Sequence, residues 1–231
     1  RFRVGGPPPL PFGEEAIEAA EREAIGRHGT GEPADGATFG WAGGEHLLDT
    51  TFALHKNLIN DALHLAVRVD AEKVPGELLR AYARIELDAR AALNPSGRPT
   101  KAQRQEAKEA ALQRAQAEGA DGRFRRRQIV PVLWDGRENI LYVGTTTPGL
   151  IDRATTLFRA TFDRALEPIT AGSLARDLAG SRGDDAAIGD LGPTVFVGDE
   201  PPAAPTWSGG GAASLDFVGN EFLVWLWHVL Q

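Results

Sequence analysis

The sequence predicts an α+β fold, with mixed, mainly antiparallel sheets and a protruding two-helix hairpin. Short segments with apolar side chains at every second position recur between long helical segments, without the strict strand–helix alternation of a parallel sheet. Two helical segments follow each other across the breaker cluster Asn94-Pro95-Ser96-Gly97, which is typical of an antiparallel helical hairpin. The 231 residues suffice for one large domain or two small ones.

The N-terminal part is predicted as strands around one helix. The expected elements are a strand fragment over residues 1–4, a helix over 14–27, short strands over 38–41 and 48–54, and a strand over 62–69. The last is the clearest of these, because Leu63, Leu65 and Val67 fall on one side of an alternating pattern.

The predicted hairpin has clear start and stop signals. Pro75 opens the first helix at the position that proline tolerates best. Thr100 is a good N-cap for the second helix, predicted over residues 101–118, and Gly119 and Gly122 end it.

The remaining chain is predicted to alternate between strands and helices. The expected elements are strands over 128–134 and 140–145, a helix over 148–164, a strand over 166–169, a short helix over 171–179, an irregular stretch over 180–211 and an apolar helix over 215–230. We therefore divide the chain into an N-terminal α/β part (1–74), a basic helical hairpin (75–127), a strand–strand–helix part (128–180), and a linker with the apolar helix (181–231).

Composition indicates a cytoplasmic protein. The chain has no cysteine, which excludes disulfides and thiolate metal sites and fits a reducing compartment. Its most apolar run is too short to cross a bilayer, so we expect no membrane partner. Because the chain starts at Arg1 within a strand pattern and stops directly after an apolar segment, we expect a piece of a longer protein with a truncated last helix.

Positive charge is concentrated in one segment of an acidic chain. The whole chain has a net charge of −7, whereas residues 98–127 have nine basic and four acidic residues, a net +5. The basic residues are Arg98, Lys101, Arg104, Lys108, Arg114, Arg123, Arg125, Arg126 and Arg127. Since electrostatic potential is set within about one Debye length, roughly 8 Å at physiological salt, a local basic lobe can bind phosphates.

Two parts of this lobe are candidate DNA contacts. Lys101, Arg104 and Lys108 share one face of a helix that is polar nearly all round. This pattern fits a phosphate-contacting arm, although a solvated helix with internal charge pairs is the more common reason for it. In Gly122-Arg123-Phe124-Arg125-Arg126-Arg127, four arginines surround one aromatic residue, and no acid directly follows them. Either the arginines bind phosphate, or Phe124 packs under the hairpin and the arginines pair with the acidic body.

Metal-binding and catalytic patterns are weak. Five residues of suitable type lie close in sequence: His46, Asp49, His55, Asp61 and His64. Their spacing matches no metal motif, so we expect structural roles for them. No P-loop, GxSxG or strand-following GxGxxG motif is present. We expect no catalytic residue, no metal and no cofactor.

The order of several weak motifs resembles the RdgC family of recombination-associated proteins. The matching segments are Arg1-Phe2-Arg3-Val4, Gly40-Trp41, Lys73-Val74-Pro75, Arg123-Phe124-Arg125, Trp134-Asp135, Glu167-Pro168-Ile169-Thr170 and the run Glu221-Phe222-Leu223-Val224-Trp225-Leu226-Trp227. The resemblance covers most of residues 1–180. The stretch 180–211 and the acidic net charge depart from the family.

The resemblance implies a ring-shaped or clamp-shaped homodimer that encircles duplex DNA without sequence preference, acts at the nucleoid and limits access of the recombinase RecA. By position it makes Phe124 a dimer contact and adds Lys73 to the DNA contacts. The predicted DNA-binding residues are therefore Lys73, Arg98, Lys101, Arg104, Lys108, Arg123, Arg125, Arg126 and Arg127.

Two other functions stay open at this point. The family has also been labelled an exonuclease, and a nuclease would need clustered carboxylates around a divalent metal. Alternatively, the charged helices of a protein-assembly module would dock on a protein partner.

Overall fold

The computed structural model describes residues 1–27, 36–189, 191–192, 215 and 217–230. Helices and antiparallel strands occur together, which confirms the predicted α+β class. The chain forms two compact units, one of residues Gly6–Ala165 and one that combines Arg1–Gly5 with Leu166–Gln231.

The elements are numbered in chain order. They are β1 (Phe2–Val4), α1 (Glu14–Arg22), β2 (Thr38–Ala42), α2 (Leu54–Asn57), β3 (Leu58–Ile59), β4 (Ala62–Glu72), α3 (Gly76–Ala92), α4 (Lys101–Glu118), a 3-10 turn (Gly119–Asp121), β5 (Arg125–Asp135), β6 (Ile140–Val143), α5 (Pro148–Phe162), β7 (Leu166–Pro168), α6 (Ala171–Arg182), α7 (Asp185–Gly189) and α8 (Phe217–Val229).

The larger unit is built on an antiparallel sheet in which β4 is central. β4 pairs with β2 and β3 along one side and with β5 along the other, and β5 pairs with β6. The β4–β5 register runs from Ala62 opposite Asp135 to Glu72 opposite Arg125. This long pairing brings together the two ends of the segment inserted between the strands, residues 73–124.

The main core lies on one face of this sheet. Successive side chains of a strand point to opposite faces, and on this face the buried residues are large and apolar. Trp134 of β5 makes edge-on ring contacts with Phe12, Phe158 and Phe162, at centroid distances of 5.2, 4.9 and 5.3 Å. The indole Nε1 of Trp41 donates to the hydroxyl of Thr161 at 2.7 Å. α5 is thus held to the sheet by aromatic packing.

The smaller unit pairs β1 with β7 and carries α6, α7 and α8. The Thr170 side chain caps α6 in a reciprocal box with Ser173. Arg3 of β1 forms an ion pair with Asp177 of α6, which raises the pKa of Arg3 through the hydrogen bond from its guanidinium. α8 starts against α6, because a Cβ added to Gly219 would lie 2.6 Å from the Cβ of Ala171.

Two predicted elements were wrong in extent or type. The helix predicted over 14–27 ends at Arg22, because Ala24 leaves the helix to form a parallel bridge with Trp41. No strand forms over 48–54. Asp49 instead organises a loop, accepting hydrogen bonds from the backbone N–H groups of Glu45 and Thr51, and α2 follows.

Other predicted elements are confirmed with small shifts. α4 has the predicted bounds, and the strands predicted over 62–69 and 128–134 are longer, so that the arginines at 125–127 belong to β5. The stretch predicted as irregular over 180–211 starts inside α6 and includes α7, and most of its remainder lies outside the described residues. Among the helices described, none combines the length and apolar character needed to cross a membrane.

Candidate nucleic-acid interface

The hairpin of α3 and α4 is inserted between β4 and β5, and its two helices pack mainly on each other. The seam consists of small residues four apart: Ala107, Ala111 and Ala115 are completely buried, while no residue of α3 is buried. A stripe of alanines lets two helix backbones approach closely but buries little apolar area. The hairpin therefore protrudes and exposes most of its side chains.

Caps and side-chain bonds hold the tip of the hairpin. Thr100 accepts from the backbone N–H of Gln103, and the Gln103 side chain accepts from the N–H of Thr100. The Asn94 amide donates to the Gln103 side chain at 2.7 Å and to the carbonyl of Arg98 at 2.8 Å. These contacts set the direction in which α4 leaves the turn.

Tyr82, Arg114 and Glu118 tie α3 to α4 near the base of the hairpin. The Arg114 guanidinium lies 4.4 Å from the centroid of the Tyr82 ring. The Tyr82 hydroxyl donates to the Glu118 carboxylate, and this hydrogen bond raises the pKa of Tyr82. Arg114 is thereby used inside the hairpin as a cation–π partner.

Four basic residues form what we call the basic flank: Arg98, Lys101, Arg104 and Lys108. All four are exposed, and within the described part of the chain none has a carboxylate partner. Of the acids of α4, Glu106 lies 3.8 Å from Arg90 of α3, and Glu109 accepts from the neutral amide of Gln105 at 2.8 Å. Among the residues described, the flank is thus a row of positive charges without a direct ion pair.

The arginines at the hairpin base are mostly paired. Arg123 bonds to Asp121 at 2.9 Å and to Glu118 at 3.2 Å. The hydrogen bond between Arg123 and Asp121 lowers the pKa of Asp121 and raises the pKa of Arg123. The sequence shows no acid directly after this cluster, but the acids come from other elements.

The β4–β5 register provides two of those acids. It places Arg125 opposite Glu72 and Arg127 opposite Asp70, and both pairs have N–O distances of 3.4 Å. Asp70 also forms an ion pair with Arg68. Arg126 points to the opposite face of β5 because side chains alternate along a strand. It is exposed with no ion pair among the described residues.

Phe124 and Lys73 meet where the hairpin joins the sheet. The backbone N–H of Lys73 donates to the carbonyl of Phe124 at 3.1 Å, and the Lys73 side chain is exposed. The half-buried Phe124 ring packs on Gly119, where an added Cβ would lie 2.5 Å from it. Phe124 therefore packs under the hairpin, and part of its ring is exposed.

The residues of metal-binding type do not converge. Within the described residues, no three His, Asp or Glu side chains are grouped as a metal site would require. Asp49 is paired with Lys56 at 2.5 Å and Asp61 with Arg137 at 2.6 Å. Burial tends to raise the pKa of Asp49, but hydrogen bonds from Lys56 and from two backbone N–H groups lower it.

A groove that the sequence did not reveal lies on the sheet face opposite the aromatic core. Its volume is about 630 Å³, and its lining includes Glu45, His64, Leu133 and Tyr142. The alternation of β4, β5 and β6 could have indicated that His64, Leu133 and Tyr142 share a face. Glu45 comes from the loop after β2, for which the sequence predicted no element.

No protein-family model and no curated protein matches the chain. The structure shows the α+β fold class, and the resemblance to the RdgC family stays a prediction from the sequence.

Proposed function

We propose that this protein binds double-stranded DNA without sequence preference, in the manner of RdgC, and that the basic flank is its principal contact. The observation that carries the proposal is the row of unneutralised charge on a protruding hairpin. Phosphates provide most of the affinity in such binding, and neither a cofactor nor a pocket is needed.

The geometry of the flank suits a phosphate backbone. α4 rises about 1.5 Å per residue, so Lys101 and Lys108 are separated by roughly 10 Å along the helix. Long lysine and arginine side chains from such a row reach successive phosphates along one strand of a duplex. Four contacts would release about four counterions, giving a slope of log K against log salt near −3.6.

The arginines at the base of the hairpin have a smaller part in this proposal than the sequence alone assigned to them. Arg123, Arg125 and Arg127 must exchange a carboxylate for a phosphate in order to bind DNA, whereas the flank residues exchange only water and counterions. Exposed ion pairs are worth about 0–1 kcal/mol, so the exchange weakens these contacts without preventing them. Arg126 and Lys73 can contact phosphate without it.

Salt-dependent binding to a fluorescent duplex tests the flank. In the double variant Lys101→Ala/Lys108→Ala, affinity should fall at every salt concentration, and the slope should flatten by about 2, one for each lost phosphate contact. The matched control is Arg80→Ala/Arg84→Ala, which removes the same charge from α3, where both arginines already pair with acids. Equal effects of the two variants would show that only total charge matters and would contradict the flank as the site.

By the same resemblance, the protein acts as a homodimer that limits RecA on DNA. Phe124→Ala should weaken dimerisation, as measured by sedimentation, and an unchanged dimer constant would remove Phe124 from the contact.

Duplex incubated with the protein and magnesium should stay intact. Digestion of the duplex would favour the nuclease alternative. If a protein partner binds and an excess of duplex does not displace it, the protein-assembly alternative would be favoured.

A further inference from the structure

The groove on the sheet face opposite the aromatic core has the size of a small-molecule site. Its volume is about 630 Å³, within the range of roughly 300–1,000 Å³ that is usual for ligand pockets. All of its lining belongs to the larger unit, and the basic flank contributes none of it. The groove therefore lies outside the proposed DNA contact and needs a separate explanation.

The strand register explains how the groove arises. His64, Leu133 and Tyr142 stand side by side, because His64 pairs with Leu133 and Leu133 with Tyr142. Neighbouring strands are about 4.8 Å apart, so His64 and Tyr142 are separated by roughly 10 Å across the sheet. In the next row, Gly144 packs so closely on Pro131 that an added Cβ would lie 2.6 Å from the proline ring. The row of three side chains thus borders a depression that a larger residue at 144 would fill.

The side chains along this row offer aromatic and apolar surface. His64, Leu133 and Tyr142 are each half-buried, and Ile59 of β3, which also lines the groove, is 48% exposed. Within the described part of the chain, neither the His64 imidazole nor the Tyr142 hydroxyl has a hydrogen-bond partner. Aromatic rings pack edge-on or offset against other rings, and their faces attract cations. These side chains suit a ligand that carries a ring.

The charges along the groove favour a cationic ligand. Lys56 lines the groove, but Asp49 neutralises its ammonium at 2.5 Å, and the carbonyl of Thr51 accepts from it at 2.8 Å. The Glu45 side chain is exposed and, among the described residues, has neither an ion pair nor a hydrogen bond. A carboxylate at the rim of an apolar groove attracts a cation through less water than a carboxylate in bulk solvent. The groove therefore complements an ammonium group.

We infer that this groove binds a small aromatic amine, whose ammonium meets Glu45 and whose ring packs among His64, Leu133 and Tyr142. An aliphatic amine would pair with the carboxylate but leave the aromatic side chains without a ring to pack on. An aromatic acid or a phosphate ester would bring a second negative charge next to Glu45. The inference does not depend on DNA binding.

Tryptamine and indole-3-propionate test the inference, because they share one ring system and carry opposite charges. Titration of the ¹⁵N-labelled chain, followed by two-dimensional NMR, measures both dissociation constants. Ligands of this size bind with constants of about 1 mM or below, and tryptamine should shift the amide signals of β4, β5 and β6 around the groove. Indole-3-propionate should bind at least about tenfold more weakly, because it cannot form the charged hydrogen bond to Glu45.

Two variants with the same change of charge locate the ammonium. Glu45→Gln should weaken tryptamine binding at least about tenfold and remove its advantage over indole-3-propionate. The matched control is Glu138→Gln, at an exposed acid of the same unit that does not line the groove. It should leave the constant within about twofold. Among the described residues neither carboxylate has a partner, so both variants should keep the wild-type circular dichroism spectrum.

A third variant tests the ring contact. Tyr142→Leu keeps an apolar side chain but removes the aromatic face, so tryptamine should bind about fivefold more weakly. Unchanged affinity in this variant would contradict the packing of the ligand ring on Tyr142. The inference would also be overturned by the absence of shifts at 10 mM tryptamine, about tenfold above the expected constant. Equal constants for the two indoles, or equal effects of Glu45→Gln and Glu138→Gln, would contradict recognition of the ammonium by Glu45.

Discussion

The aromatic core of the sheet and the helical hairpin, both in the larger unit, are stabilised in opposite ways. On the sheet, Trp134 and Phe158 are almost completely buried and contact other aromatic rings. In the hairpin, the only completely buried side chains are three alanines, and exposed side chains hold the charges. Burial of an aromatic side chain contributes several times more than burial of a methyl group.

This difference separates the sheet, which holds the fold together, from the hairpin, whose surface we propose to bind DNA. The sheet buries large apolar side chains, and Arg125 and Arg127 form ion pairs across its β4–β5 register. The hairpin has little apolar burial, and caps and local bonds hold its shape, so it should open at a lower free energy than the sheet. A protein that meets a polyanion on a protruding arm gains from this arrangement, because charges can be exposed without disturbing the core.

The largest effect is expected for Phe158→Ala. Removing this buried ring leaves a cavity beside Trp134, and the free energy of unfolding should fall by about 3–5 kcal/mol. Urea denaturation followed by tryptophan fluorescence measures the loss. Leu48→Ala, at a residue of the same unit that is 59% exposed, is the control and should change the free energy of unfolding by less than about 1 kcal/mol. Similar losses in the two variants would contradict the assignment of the core.

A comparable loss, about 3 kcal/mol, is expected for Asp49→Ala, because it leaves the Lys56 ammonium nearly buried without its carboxylate. The two side chains are only 4% and 13% exposed. Since the pKa of Asp49 is lowered in the folded protein, its contribution is complete above the ordinary value and is lost as pH falls through the lowered one. The stability gap between variant and wild type should therefore close below about pH 4. A gap that is unchanged in acid would contradict this ion pair.

A smaller effect, confined to the hairpin, is expected for Ala111→Leu. A leucine in the seam forces α3 and α4 apart at a cost of about 1–3 kcal/mol. Hydrogen exchange should accelerate in both helices but not in β4 or β5. Ala117→Leu, at an exposed position of α4, should leave exchange unchanged. Faster exchange in the strands of the first variant would show that the hairpin and the sheet unfold together.

The smallest effect is expected for Thr100→Ala, which removes the N-cap of α4 and should cost about 1 kcal/mol. Thr100→Ser keeps the hydroxyl and should restore most of it. Exchange of the backbone N–H of Gln103 reports the loss directly, because that group donates to Thr100. No acceleration there would mean that the contacts between Asn94 and Gln103 are sufficient to hold the turn.

Local signals predicted the hairpin better than any other part of the molecule. Thr100 as the N-cap and Gly119 at the end predicted the observed bounds of α4. Such signals act within a few residues and can be read directly from the chain. The helix predicted to reach residue 27 was too long, because the strand that captures Ala24 lies elsewhere in the sequence.

The state of the arginines could not be predicted in this way. Glu72 and Asp70 lie 53 and 57 residues before Arg125 and Arg127, and only the register of two distant strands brings each pair together. Within the described part of the chain Lys101 and Lys108 have no such partner, which the local sequence could suggest but not establish. The sequence therefore defines the segment of the candidate site, which stays a prediction, while the division between its paired and unpaired charges required the fold.

The bond between the backbone N–H of Lys73 and the carbonyl of Phe124 closes the base of the hairpin. β4 and β5 are neighbours at that point, so the inserted segment between them, here called the cassette, begins and ends at adjacent positions of the sheet. Replacing residues 74–123 with a two-residue Asn-Gly turn would convert the arm into a plain β-hairpin loop. The length and charge of the cassette can thus vary independently of the strands that carry it.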